Sequence, residues 1–261
     1  MSMAGIMEER RARAADWSRS VSTFALVLFI VSALAHRFAL LETVPFLWIL
    51  GIVGALALAG LLLALLALVQ MWEHGLLGLG AAAAGLIVAL LVLTPYAISA
   101  YRLATHPQLV DISTDPVDPP ALRRARDLRS PPMNPVQPPT ARERARQEKA
   151  YPELTGRRYE YAPETVAAVI QGLLADRGWT VVSGPEPVAE GNALSIEAVA
   201  WSYFLGFASD VAIRVEDRAN ATYVEMRSAS RYGRHDLGDN AKRIERFLND
   251  LDTRMESLEA L

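Results

Sequence analysis

Hydrophobic positions crowd the first hundred residues and thin out after Tyr101, and this break divides the chain. Three uncharged or nearly uncharged runs, about 20–41, 44–69 and 75–101, approach or exceed the roughly 20 apolar residues a helix needs to cross a bilayer. The first is the weakest, since its uncharged run stops at Ala35 before His36 and Arg37; an arginine at that depth can snorkel towards headgroups. Trp48, Trp72, Tyr96 and Tyr101 fall near span ends, where amphipathic rings prefer the interface. The expectation is a cytoplasmic arm over 1–19, then a three-span anchor over 20–101.

After Tyr101 the pattern changes period. Pro163 opens a helical stretch with Val166, Val169, Ile170, Leu173 and Leu174 on one face, stopped by Gly178. Trp179–Ser183, Ala193–Trp201, Asp210–Glu216 and Thr222–Ser230 read as strands, the last three by clear alternation. Ile196, Ala198, Val211, Ile213, Val215, Val224 and Met226 share one face. Glu197, Asp210, Arg214, Glu225 and Arg227 share the other, expected to be wet. Leu237, Ala241, Ile244, Leu248 and Leu251 then recur at helical spacing, with Asp236 placed to cap. The pattern predicts an α+β soluble domain over 151–261: an antiparallel sheet of four or five strands with two helices on one face.

Residues 102–150 fit neither pattern. Leu109, Val110 and Ile112 allow a short strand; 116–139 hold eight prolines and four arginines; and Thr140-Ala-Arg-Glu143 is a capping box. Two readings stay open, a spacer near anionic headgroups and a segment that wraps the domain.

Charge orients the chain. Arg10, Arg11, Arg13 and Arg19 precede the first span, the first loop carries only Arg37, and 70–74 carries no arginine, so the amino terminus is expected inside. Three crossings put the carboxy-terminal domain outside, in the periplasm of a bacterial inner membrane. The arginine pair at 10–11 lacks the following cleavage site of an export signal. Ionisable groups near the spans lie at their ends rather than mid-span, which favours an anchor over a channel. Gly51, Gly54, Ala55, Ala59, Gly78, Ala82 and Gly85 offer small faces for close helix packing, including self-association into a homo-oligomer.

The net charge of −3 gives no drive towards nucleic acid, and with no cysteine there is neither disulfide nor thiolate chemistry. The four histidines form no local ligand pair, and no glycine-rich phosphate loop or dinucleotide fingerprint occurs, so no metal and no cofactor is expected. The densest chemistry is Arg227–Asn240, RSASRYGRHDLGDN, joining the last strand to the last helix. Arg227, Arg231 and Arg234 beside a helix amino terminus, with Asp236, Asn240, Arg214, Asp210 and Glu197 nearby, suggest a site for an anion, a lipid headgroup or an envelope protein. The structural alternative is a capped helix with cross-strand ion pairs. A hydrolase using Glu197, Asp210 or Glu225 lacks any sequence feature that would raise one carboxyl, because nearby arginines lower it. Ser228 or Ser230 with His235 lacks a nucleophile elbow.

Ile196-Glu-Ala198, Gly206-Phe207 with Asp210-Val211, Ile213-Arg-Val215 and RSASRYGRHDLGDNAKRI over 227–244 together resemble the family called domain of unknown function 1499, found in bacterial envelope and plastid proteins. The resemblance covers roughly 106–252 and includes Asp111-Ile-Ser-Thr-Asp115-Pro with Asp118-Pro-Pro. Ser209-Asp210 stands where the family has paired acids. The resemblance implies a domain but no activity: a membrane protein whose domain binds or scaffolds an envelope component, with a membrane-tethered hydrolase as the alternative.

Overall fold

The computed structural model describes residues 11–188, 192–218 and 220–259. The chain forms two compact units, Met1–Tyr101 and Arg102–Leu261. Residues 1–10 of the expected cytoplasmic arm lie outside the described residues.

The first unit is three helices, α1 (Arg13–Arg37), α2 (Thr43–His74) and most of α3 (Leu79–Thr105), each long and apolar enough to cross a membrane. The first helix begins at Arg13, inside the expected arm, because Arg13, Asp16 and Arg19 continue a helical turn without a breaker. Small residues set the packing. A Cβ on Gly60 would lie 2.2 Å from Ser22 Oγ, and one on Gly85 would lie 2.2 Å from Ser18 Oγ. Ser18 Oγ in turn donates to the Gly60 carbonyl at 2.8 Å. Tyr96 covers Gly54 and donates its hydroxyl to the Leu50 carbonyl at 2.7 Å. Gly54, Ala82 and Gly85 are therefore spent within the trio, while Gly51, Ala55 and Ala59 stay exposed on α2.

The second unit adds β1 (Asp111–Ser113), α4 (Arg123–Asp127), α5 (Ala141–Ala150), β2 (Arg157–Tyr159), α6 (Pro163–Asp176), β3 (Thr180–Pro187), β4 (Ala193–Trp201), β5 (Ala208–Arg218), β6 (Ala221–Ser230) and α7 (Asp239–Glu259). The sheet is antiparallel with six strands, ordered β1-β6-β5-β4-β3, and β2 also pairs β6. The long strands match the expected ones, and β1 overlaps the short strand allowed by Leu109, Val110 and Ile112; β2, three residues long, is too short for alternation to reveal. They lie end to end along one edge of β6, β2 on Thr222–Val224 and β1 on Arg227–Ala229.

One sheet face carries Ile196, Val211, Ile213, Val215, Val224 and Met226 against Val166, Ile170, Leu173 and Leu174 of α6 and Ile244, Phe247, Leu248 and Leu251 of α7. Each fully buried aliphatic side chain there contributes on the order of 1.5–3 kcal/mol. The helix α6 starts with Pro163 at its first turn and stops at Gly178, whose φ of +63° is cheap without a Cβ.

The other face is not wet. Ala212 and Ala229 are small enough to admit Leu122, which precedes α4, and Ala125 of α4, with Val136 beside them, and all but the last are buried. The proline-rich stretch therefore wraps the domain, and the domain boundary moves back from 151 to the start of this unit. Its prolines need no ladder partners, since it crosses the face as an extended cover rather than as a strand. The capping box forms as expected: the Thr140 side chain accepts from Glu143 N–H, and Glu143 reaches back to the Thr140 N–H at 2.8 Å.

Candidate functional site

The charged residues of the covered face are occupied by the wrap. Glu197 is buried and accepts three backbone N–H groups of α4: Arg123 at 2.9 Å and Arg124 at 3.1 Å on Oε1, Ala125 at 2.9 Å on Oε2. It caps from outside a helix whose own cap residue, Leu122, has no side-chain acceptor. Asp210 is wholly buried between two guanidinium groups, Arg129 Nε at 2.7 Å on Oδ2 and Arg231 Nη2 at 2.7 Å on Oδ1. Arg227 holds Asp111 through two bonds, 2.9 Å from Nε and 2.6 Å from Nη2, and also donates to the Pro120 and Gln137 carbonyls. Arg214 donates to Asp118 Oδ2 at 2.6 Å. Cross-strand pairing among Glu197, Asp210, Glu225, Arg214 and Arg227 was the structural expectation; instead Glu197 and Arg214 are held by the wrap, Asp210 by Arg129 of the wrap together with Arg231 just past β6, and Arg227 pairs with Asp111 of the neighbouring strand β1. Glu225 likewise accepts the Thr114 hydroxyl.

Beyond β6 the chain makes a turn that the α7 periodicity does not foresee. Leu237 and Gly238 both have positive φ, 56° and 77°, so Leu237 lies outside the helix it was expected to start. The turn is held by side chains. Leu237 N–H donates to His235 Nδ1 at 2.8 Å, which leaves the ring proton on Nε2, 3.2 Å from the His106 carbonyl. Asp236 accepts from Gly238 N–H at 2.9 Å and Asn240 N–H at 3.1 Å, the capping role expected of it. Asn240 is saturated: Oδ1 accepts from Ser228 Oγ and Arg243 Nη1, and Nδ2 donates to Val110 O and Ser230 Oγ. Ser228 and Ser230 thus face α7 in a polar cluster with no role for His235.

Burial shifts five titratable groups around the joint and the covered face. It raises Asp111 against the lowering pull of Arg227, and raises Asp236 against its two backbone donors. It also raises Glu225, the reverse of what its neighbouring arginines suggest in sequence. Burial lowers Arg243 and pushes the Tyr151 phenol up to about 12. The Tyr151 hydroxyl is buried with no hydrogen-bond partner among the described residues.

The eight residues proposed from sequence do not form one site. Asp210 and Arg231 meet; Glu197, Arg227 and Arg214 each bind a separate part of the wrap; Asp236 and Asn240 serve α7. Arg234 alone of the eight is exposed and makes no ion pair or hydrogen bond among the described residues. It lines a groove of about 590 Å3 with Leu103, His106, Gln108, His235 and Leu237. The His106 ring packs on Gly238, where a Cβ would come within 2.1 Å of it, and it also walls a second groove of about 470 Å3 that includes Tyr151 and Lys242. No group of three His, Asp or Glu side chains converges among the described residues to hold a metal ion. Sequence reasoning missed His106, whose carbonyl meets His235 from 129 residues away.

Fold and site together define a chain with three membrane-span-length helices and an α+β domain whose charged face is closed by its own proline-rich segment. The chain belongs to the family Protein of unknown function (DUF1499), which matches residues 111–251, more than half of it. That match begins at β1 and takes in the wrap. Comparison with curated proteins and with solved structures returned no match.

Proposed function

We propose that this is an integral inner-membrane protein whose α+β domain faces the periplasm and serves as a binding or scaffold module for an envelope component, engaging an anionic group of that component in the groove at Arg234. The orientation rests on the arginines before α1 and in its first turns and on their scarcity in both loops, and three crossings carry the domain outward. One observation carries the binding role. Among the charged residues of the β6–α7 joint, Arg234 has no ion-pair or hydrogen-bond partner among the described residues, beside a groove that His106 also lines. An exposed guanidinium offers a bidentate hold on phosphate or carboxylate. Glu197 and Asp210, the first carboxylates a hydrolase would use, have every oxygen engaged by protein donors. Self-association, on this reading, uses the exposed Gly51–Ala55–Ala59 stripe of α2.

The test is a titration of the full-length protein in neutral-detergent micelles with inorganic phosphate and succinate as probes. The expected result is a rise in Tm with the anion that Arg234→Ala abolishes while leaving the starting Tm unchanged. An equal rise with chloride at matched ionic strength, or one that survives Arg234→Ala, contradicts the reading.

A further inference from the structure

The turn between β4 and β5 carries an exposed aromatic cluster that the joint does not account for. Trp201 is 48% exposed, Tyr203 82% and Phe204 81%, and Trp201–Phe207, WSYFLGF, contains no charged residue. The cluster is held in place. Ser202 N–H donates to the Phe207 carbonyl at 2.9 Å, Phe207 N–H donates to Ser202 Oγ at 2.9 Å, and Gly206 N–H donates to the Ser202 carbonyl at 3.1 Å. Gly206 takes φ +69°, which closes the turn. The Tyr203 and Phe204 rings stand edge to face, 5.1 Å apart. A hydrogen-bonded tip that displays three large aromatic side chains to solvent opposes solubility and so marks a contact surface.

Position and composition select its partner. Strand register places the tip at one end of the sheet: Trp201 pairs Ala208, and Ala208 accepts from Arg231 N–H just past the end of β6. At that same end the chain enters β1, where Val110 accepts from Ser230 N–H, five residues after the last residue of α3. The tip thus lies at the sheet end where the chain arrives from a span-length helix. Arg234 lies at that end too, in the turn after β6. Trp and Tyr, with apolar bodies and polar tips, favour the headgroup layer of a bilayer, and a neighbouring arginine favours its phosphates.

We propose that the β4–β5 tip is an interfacial contact: Trp201, Tyr203 and Phe204 enter the headgroup region of the bilayer that holds α1–α3. The inference rests on α1–α3 spanning a membrane; it is independent of which side the domain occupies and of what Arg234 binds.

The chain has no cysteine, so single-cysteine variants need no background removal. Tyr203→Cys and Phe204→Cys are spin-labelled in the full-length protein, reconstituted at one chain per lipid nanodisc. Arg218→Cys, at the far end of β5 and about 33 Å away at 3.3 Å per residue, is the control. Collision rates are measured with oxygen, which partitions into lipid, and with a water-soluble nickel chelate. The expected result is oxygen exceeding nickel at 203 and 204, and the reverse at 218. Water-like accessibility at all three positions overturns the proposal. So does protection from both reagents at 203 and 204, which would mean that protein covers the tip.

Discussion

Arg129, in the proline-rich segment, donates from Nε to Asp210 on β5 at 2.7 Å, with 6% of one side chain and none of the other exposed. A link of this kind between residues 81 positions apart makes the segment a layer of the domain rather than a tether. It also explains how a carboxylate can be buried without a large penalty: Arg231 completes its shell from the other side.

Replacing Asp210 by Asn leaves two mostly buried guanidinium groups facing a neutral amide. Breaking a buried pair at one partner costs about 3–5 kcal/mol, so Asp210→Asn is expected to lower Tm by roughly 10 °C in detergent. Arg129→Ala is expected to cost less, because Asp210 keeps Arg231. Differential scanning fluorimetry of the two variants orders them.

Glu197→Gln keeps shape but leaves one carbonyl oxygen where two carboxylate oxygens now cap three N–H groups of α4. The expected outcome is a loosened α4 with native β4–β5 packing. Limited trypsinolysis reads it: cleavage after Arg123, Arg124, Arg126 or Arg129 accelerates, while the sheet stays resistant. Unchanged cleavage rates at these arginines would show that the cap does not hold the wrap.

Burial raises the folded-state pKa of Glu225 above its ordinary value of 4.5. A raised carboxyl contributes stability that is full below the unfolded pKa and is lost as pH climbs through the folded one. Gln carries no such penalty and still accepts the Thr114 hydroxyl. The Tm of Glu225→Gln minus that of the native chain should therefore increase between about pH 4 and pH 7. A flat or falling difference contradicts the burial argument.

The orientation predicts that a reporter fused after His74 is active in the cytoplasm and one fused after Leu261 in the periplasm. A cytoplasmic signal at Leu261 would remove the envelope reading and turn the Arg234 groove towards cytosolic anions.

The parts legible in sequence were those set by local periodicity and chain chemistry. Span-length apolar runs, the Pro163 start and Gly178 stop of α6, the Thr140–Glu143 box and the Asp236 cap all follow from neighbours within a few residues. Alternation along β5 also told truly which face Asp210 and Arg214 share. It could not tell what covers that face, because Arg129, Asp118 and Asp111 find their partners 81, 96 and 116 positions away. Leu237 fits the helical stripe of α7 in sequence, yet sits at positive φ in the turn before the helix, which starts two residues later at Asp239. His106 gave no signal at all; its site exists only once β1 is paired and α7 has started.

The wrap closes the charged face and leaves Arg234 as the available arginine of the joint. Arginine-selective phenylglyoxal labelling of the folded full-length protein, read by mass spectrometry, tests it directly. The expected result is rapid modification of Arg234, slowed by added phosphate, with Arg129 and Arg227 protected until the protein is denatured. Modification of Arg129 or Arg227 at the rate of Arg234 in the folded protein would contradict it.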